Sequence, residues 1–376
     1  MITGRKILYL FDQGDWKSRM PVAQAAKQRG CDVTIALIGA QDTNETVPGF
    51  ETLHIKAPDG RMRGRDVPAM VRQIREILAD THADLVHTVT LKYAFITGLA
   101  ALPFPDIRKI YTLAGLGYLF RSPDIKARLM RFLIGPLLRR VLRARGAYLI
   151  FQNPDDLVLM TKLRYAGHVN TALIRGSGVD LDSFTPIPEP EEDEPLVLMP
   201  TRLVKEKGVH IFVEAARLVK ASGMKARFQI AGGETRHNPK AITKEEMHAL
   251  TADGVIEWLG RVEDMPALLS QAAIIVYPSY YGEGIPRVLL EACAAGRAII
   301  TTDHAGCREA VEHNQNGLLV PIKNIKATAD AIKDLLTAPD LRRIMGERSR
   351  EKAEREFDIN LVVNETLHVY EDALKD

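Results

Sequence analysis

Along this chain, short and nearly continuous apolar runs alternate with stretches of helical spacing, and the alternation stops once and starts again. Seven such runs stand in the first half: KILYLF, CDVTIALIG, ETLHIK, DLVHTVT, RKIYTLAG, AYLIFQN and NTALIRG. Continuous apolar character marks strands covered on both faces. Helical segments such as 68–80 and 123–145 lie between them. Strand–helix alternation of this kind calls for a parallel sheet with helices on both sides.

The pause is FTPIPEPEEDEP, from Phe184 to Pro195, rich in proline and acid and without a core period. Six runs follow it: LVLMPTR, ARFQIAGG, GVIEWLG, AAIIVYPS, RAIITTD and GLLVP. Residues 323–374 then read as helical, charged on one face. At 376 residues the chain is too long for one ordinary core. The expected fold class is α/β, with two Rossmann-like doubly wound domains facing a central cleft. The expected division is 1–184, a linker at 185–195, and 196–376, with the last helix, 359–374, packing back on the N-terminal domain. Ligands of such folds lie at the carboxyl ends of the strands, which two facing domains would enclose.

Three distant cysteines, Cys31, Cys293 and Cys307, form no C-x-x-C pair and so suggest neither a disulfide framework nor a zinc knuckle. A reducing cytoplasm fits them. The opening apolar run in MITGRKILYLFDQGD is short for a signal peptide and reads as a first buried strand. No run reaches the ~18 apolar residues a membrane span needs.

Net charge is +2, unevenly placed. Residues 1–185 hold 26 Lys and Arg against 17 Asp and Glu, a net +9; the remainder holds 24 against 31, a net −7. The first half is therefore expected to meet something anionic. RSPDIKARLMRFLIGPLLRRVLRAR, residues 121–145, is densest, with eight basic residues and one acidic. It reads either as the solvated face of a surface helix or as a helix lying on anionic lipid, with Arg131, Arg139, Arg140 and Arg143 as contacts. Nucleic acid is disfavoured, because Phe132 is the only interleaved aromatic and no binding motif appears.

The sharpest local signal is YYGEGIPRVLLEACAAGRAIITTDHAG, Tyr280 to Gly306. It holds Glu283 in a glycine-marked turn and Glu291 in an apolar helical run. A solvated carboxylate is the ordinary reading of a helical Glu. An apolar helix buries it instead, and a buried carboxylate needs donors, which vicinal sugar hydroxyls supply. Gly284 permits close backbone approach, Pro286 suits a first helical turn, and the amides over Ile285, Arg287 and Val288 form an anion site. TRLVKEKG follows LVLMP, so Arg202 and Lys207 could clamp a diphosphate at a strand end.

These stretches, with NGLLVP at 316–321, resemble the retaining glycosyltransferases of family 4, which have the GT-B fold. The likeness is strong across the second domain and weaker in the first, through RMPVAQAAKQRGCDVTIA, DLVHTVTLK, TLAGLGYLF, FQNPDD and GSGVDLDSF. EGIPR, GCREAV and GLGYLF resemble the bacterial branch that builds O-antigen, capsule and lipid-linked oligosaccharides. The resemblance implies a nucleotide-sugar donor, a UDP-hexosamine or UDP-hexose, and no cofactor or bound metal. Glu291 would accept from the ribose, Glu283 would contact the transferred sugar, and Arg202 and Lys207 would neutralise the diphosphate. The acceptor, lipid-linked or glycan, would face the first domain, with Gly14 near the donor phosphate and Arg19 and Lys92 towards the acceptor. The family's histidine in the loop aligned with YTLAGLGYLF is missing; His87 is the nearest substitute. The enzyme would be cytoplasmic and peripheral to the inner face of the membrane.

DLD at Asp180–Asp182 invites a manganese reading, but it resembles the family's GVD turn and is expected to orient a loop. The alternatives are a UDP-sugar 2-epimerase, a transferase like sucrose-phosphate or glycogen synthase, and a non-catalytic nucleotide-binding module. A dehydrogenase is disfavoured, since no G-x-G-x-x-G follows the first strand.

Overall fold

The computed structural model describes residues 2–14, 16–39, 45–58, 62–122, 124–167, 170–235, 238 and 240–375. The first sheet comprises β1 (Lys6–Asp12), β2 (Asp32–Gly39), β3 (Glu51–Lys56), β4 (Leu85–Val89), β5 (Arg108–Leu113), β6 (Ala147–Phe151) and β7 (Thr171–Leu173). Its order is β3-β2-β1-β4-β5-β6-β7, all parallel. The second comprises β8 (Leu196–Pro200), β9 (Arg227–Ala231), β10 (Glu257–Gly260), β11 (Ala272–Tyr277), β12 (Ala298–Thr302) and β13 (Gly317–Val320). Its order is β10-β9-β8-β11-β12-β13, again all parallel. Each sheet reverses its winding beside its first strand, at β1/β4 and at β8/β11. Such reversals leave a crevice at the carboxyl edge.

The apolar runs became central strands for the expected reason. Every residue of β4, β6, β8, β11 and β12 is buried. Each sheet packs apolar side chains on both faces, Leu8 and Ile74 on one side of the first, Tyr111 and Leu138 on the other. In the second sheet Val197 and Phe212 lie on one face, Leu198 and Leu289 on the other. At ~25 cal/mol per Å² of apolar surface, these four clusters supply the main drive to fold.

The chain divides into two compact units: Met1–Ser177 with Gly282–Gly284 and Asn360–Asp376, and Gly178–Tyr281 with Ile285–Ile359. The boundary therefore falls earlier than 184, and 185–195 is not a free linker. It runs along the second unit as a strap. Arg342, 5% exposed, holds both oxygens of Glu189 at 2.6 and 3.1 Å. Arg297 donates to the Ile187 carbonyl at 2.6 Å, and Arg227 pairs with Glu192. Arginines of the second unit, buried at 297 and 342 and exposed at 227, thus give the acidic segment partners, which a solvated linker would lack. No helix among the described residues is long and apolar enough to cross a membrane.

Candidate active site

At the carboxyl edge of the second sheet, the loops after β8 and β11 are bound to each other. The Tyr280 amide donates to the Glu206 carbonyl at 2.9 Å, and the Ser279 hydroxyl donates to the same oxygen at 3.3 Å. Thr301 donates to the Tyr277 carbonyl at 2.7 Å, and Thr302 to that of Ser279. Gly208 has φ +86°, and a Cβ there would lie 2.3 Å from the Pro278 carbonyl oxygen. Only glycine tolerates both conditions, so the last letter of TRLVKEKG is fixed by backbone approach.

This stitching places the two cations. Arg202 is exposed just beyond β8. Lys207, 4% exposed, ends a 3-10 turn over Lys205–Lys207, and its Nζ lies 5.5 Å from the Tyr277 ring centre and 5.2 Å from that of Tyr281. Aromatic faces are favourable neighbours for an ammonium.

β11 leads through Ile285 and Pro286 into the helix Arg287–Ala294. Pro286 is its N-cap and brings no side-chain acceptor to the first-turn amides, which include those of Arg287 and Val288. Leu289, Leu290, Ala292, Cys293 and Ala294 are buried. Glu291 is less enclosed than a helix apolar all round would make it, yet its side chain keeps only 14% of its exposure. Arg287 Nε donates to its Oε1 at 2.8 Å. Burial raises the Glu291 pKa, and Arg287 offsets that only in part.

Gly232, Gly233 and Arg261 share this edge and escaped the sequence reading. Ala231 pairs with Pro200, so β9 ends beside β8. A Cβ on Gly232 would lie 1.7 Å from the Thr201 carbonyl oxygen, and one on Gly233 would lie 3.2 Å from Arg261 Cβ. The signal was present as glycine at a strand end, a pair in AGG and a single one in LGR.

The carboxyl edge of the first sheet is different. The Gly14 amide donates to Asp12 Oδ1 at 3.0 Å, so that N–H is already used within the turn. Asp12 Oδ2 accepts from the Tyr93 hydroxyl at 2.8 Å, and Lys92 Nζ lies 4.0 Å from the Tyr93 ring centre. Thr90, which opens the following helix, holds φ +77°, a region that β-branched residues avoid. Arg19 is half-buried and lines a cavity of about 30 Å³ with His87, Tyr9 and Thr112. That is room for about one water.

His87 is a correction. The ring is 5% exposed, Nδ1 meets the Tyr370 hydroxyl, and Nε2 meets Thr112 Oγ1 at 2.8 Å. Burial lowers its pKa to about 3. A neutral ring with both nitrogens occupied by core partners cannot polarise a sugar, so the histidine is structural.

Asp180 behaves as a loop organiser. Its Oδ1 accepts from the Asp182 amide at 3.0 Å, and its Oδ2 from the Ser183 hydroxyl at 2.6 Å. In the basic helix Ile125–Leu142, Arg139 donates to the Leu163 carbonyl at 3.2 Å and lies 5.0 Å from the Tyr165 ring centre. Arg131 donates to the Phe120 carbonyl at 3.4 Å. Arg140 and Arg143 are exposed. The same helix exposes an apolar stripe: Ile125 by 82%, Phe132 by 79%, Leu133 by 66% and Leu129 by 56%. These residues, at spacings of three and four, lie on one face.

Two parallel doubly wound sheets, with cationic and carboxylate residues at the carboxyl edge of the second, are the architecture of GT-B glycosyltransferases. Sucrose-phosphate synthase from Thermosynechococcus elongatus superposes with a TM-score of 0.81 at 20% identity, over 98% of both chains. Alr3699/HepE of Anabaena, solved with UDP and glucose, superposes with a TM-score of 0.77 at 17% identity, over 98% of this chain and 100% of that one. In sequence, residues 6–153 match the glycosyl transferase 4-like family and residues 182–352 match the glycosyl transferases group 1. An N,N'-diacetylbacillosaminyl-diphospho-undecaprenol alpha-1,3-N-acetylgalactosaminyltransferase of Campylobacter jejuni is 28% identical over 95% of each chain. The chain belongs to the group 1, family-4-like glycosyltransferases.

Proposed function

We propose that this glycosyltransferase moves a hexose or N-acetylhexosamine from a UDP-sugar to a lipid-linked or polysaccharide acceptor, with retention at the anomeric carbon and without a bound metal. The observation that carries the reading is the second sheet's carboxyl edge, where Arg202 and Lys207 follow β8 and the uncapped turn at Pro286–Val288 follows β11, the two strands of the winding reversal. In this reading Glu291 anchors the ribose through the oxygen that Arg287 leaves open. The amides from Gly284 to Val288 and the two cations take the diphosphate. Glu283 contacts the sugar, while Arg19 and Lys92 serve the acceptor side.

The acceptor hydroxyl attacks the anomeric carbon as the bond from that carbon to the phosphate oxygen breaks. Nucleoside diphosphate leaves, and its oxygen takes the hydroxyl proton on the same face. Charge grows on the leaving oxygens, so the cations act most strongly in the transition state. The UDP in the HepE structure and the diphospho-undecaprenol in the Campylobacter relative's name support the donor and acceptor classes.

The exposed apolar stripe, flanked by Arg140 and Arg143, supports peripheral association with an anionic membrane face. Flotation with anionic vesicles should carry the wild type and leave Phe132→Asp behind. Failure of the wild type to float at low salt removes that part of the reading.

The primary test is thermal shift of the wild type and Glu291→Ala with UDP, GDP, ADP and their sugars. Stabilisation of the wild type by UDP, weakened in the variant, is expected. Equal stabilisation of both removes the ribose role of Glu291. Absence of any UDP shift overturns the donor assignment.

A further inference from the structure

Glu283 stands between two glycines, Gly282 and Gly284, the residues with the greatest backbone freedom. A carboxylate that must meet one sugar cannot depend on such a backbone for its placement. The tripeptide goes with the first unit, and three of that unit's residues close on it. A Cβ on Gly115, which has φ +94°, would lie 2.6 Å from both the Cα and the carbonyl carbon of Glu283. A Cβ on Gly282 would lie 2.6 Å from Arg121 Cγ, and one on Gly284 would lie 2.3 Å from Gln152 Oε1. The glycines are thus required by contact as well as by freedom.

Gln152 is fixed from behind, since its Nε2 donates to the Gly176 carbonyl at 2.9 Å and the residue is 4% exposed. Arg121 is a long side chain with many rotamers, and its stem stays against Gly282 only if its head is held. Its guanidinium pairs with Asp156, whose side chain is 1% exposed. Asp156 is held in turn by Asn153, whose Nδ2 donates to its Oδ2 at 3.0 Å and whose Oδ1 caps its amide at 2.8 Å. Asp156 sits in the first turn of the helix Pro154–Lys162, and a buried carboxylate with a single cationic partner is an expensive arrangement to keep. Burial pushes the Asp156 pKa up despite that partner.

We propose that Arg121 and Asp156 are positioning residues for catalysis: the buried pair locks the arginine stem as one wall of a slot, with Gly115 and Gln152, that fixes the Glu283 backbone. Arg121 is then committed to the loop and is not a phosphate ligand. This inference rests on the assignment of Glu283 to the transferred sugar.

The test is amide hydrogen exchange across 278–288 in the wild type, Asp156→Asn and the double variant Arg121→Met/Asp156→Asn. UDP thermal shifts are run on the same preparations. The double variant keeps a stem and removes both charges, so it folds without an unpaired buried ion should the single variant fail. At least fivefold faster exchange is expected at 281–285 in the variants, with β8 and β11 unchanged. Turnover should fall at least tenfold, while the UDP shift persists. Unchanged exchange at 281–285 in a folded variant overturns the proposal, whatever UDP does. Exchange that rises equally throughout the first unit also overturns it, because the pair is then only a fold anchor. A wild type that ignores UDP refutes the donor reading and leaves the exchange result to decide the slot on its own.

Discussion

At the winding reversal of the first sheet, His87, Asp12 and the Gly14 amide have found partners inside the protein. His87 lies between Tyr370 and Thr112, Asp12 takes the Gly14 amide and the Tyr93 hydroxyl, and the cavity beside His87 is about 30 Å³. At the reversal of the second sheet, the loops bond to each other through the backbone and hold charged side chains at the strand ends. Arg202 is exposed, Lys207 rests on two rings, and one oxygen of a largely buried Glu291 is bound by Arg287. The two sheets wind alike around β1/β4 and β8/β11. Winding order therefore says where a ligand can sit, and the disposition of polar groups says whether one does.

The largest expected effect attacks the second edge directly. Lys207→Ala should lower turnover a hundredfold or more, about 3 kcal/mol of transition-state stabilisation, with little change in UDP affinity. Steady-state kinetics beside UDP calorimetry separates the two. Turnover within twofold of the wild type would erase the contrast between the edges, since the best-built cation would then be as structural as His87.

Glu291 gives the next effect. Glu291→Gln should weaken UDP by one to two decades, in line with ~1.5–3 kcal/mol for charged hydrogen bonds. The same variant should stabilise the unliganded protein at neutral pH. The folded pKa of Glu291 is raised by burial, so the folded state binds more protons than the unfolded one just above the ordinary carboxylate range. Stability contributed by this group is then present at low pH and lost as pH rises through the folded pKa. A carboxylate that costs stability without ligand and gains affinity with it belongs to a site. If Glu291→Gln loses stability and keeps its affinity for UDP, the group belongs to the core.

Much of this contrast was legible beforehand. The central strands declared themselves because both faces of each sheet are covered there, so their apolar runs were continuous, whereas the edge strands β3, β7 and β10 are largely half-buried or exposed. Glu291 stood out because a charge in an apolar helix is costly. What stayed hidden depends on distant partners. His87 and Tyr370 are 283 residues apart, and Glu189 and Arg342 are 153 apart. No local pattern tells a paired histidine from a catalytic one, or a strapped acidic segment from a solvated linker. Gly14 read as a phosphate contact for the same reason: the sequence shows a glycine after a strand, not that Asp12 already accepts its amide.

The first edge makes its own prediction in acid. His87 titrates near 3 in the folded protein and near 6.5 when unfolded. The unfolded state binds the proton first, so stability is complete above pH 6.5 and falls as pH drops towards 3. The slope approaches on the order of 1 kcal/mol per pH unit. His87→Gln should flatten the melting-temperature curve between pH 6.5 and 4.5. An equally steep variant would mean that other groups carry the acid sensitivity and that the histidine is not the buried anchor of this edge.

The smallest effect concerns a carboxylate that resembles a metal ligand in sequence and acts as a turn in the fold. The Ser183 hydroxyl and nearby amides hold Asp180 below the usual carboxylate range. Its stabilisation is present above the unfolded pKa and lost as pH falls through the folded one. The group is solvent-exposed, so screening keeps the loss small, below ~1 kcal/mol for Asp180→Asn. Melting should fall by a few degrees at most, and added manganese should leave the turnover of wild type and variant in the same ratio. A manganese requirement that disappears in Asp180→Asn would give this turn a ligand after all. The charge stabilisation now assigned to Arg202 and Lys207 would then be shared with an ion, and the cationic edge of the second sheet would no longer suffice to distinguish it from the first.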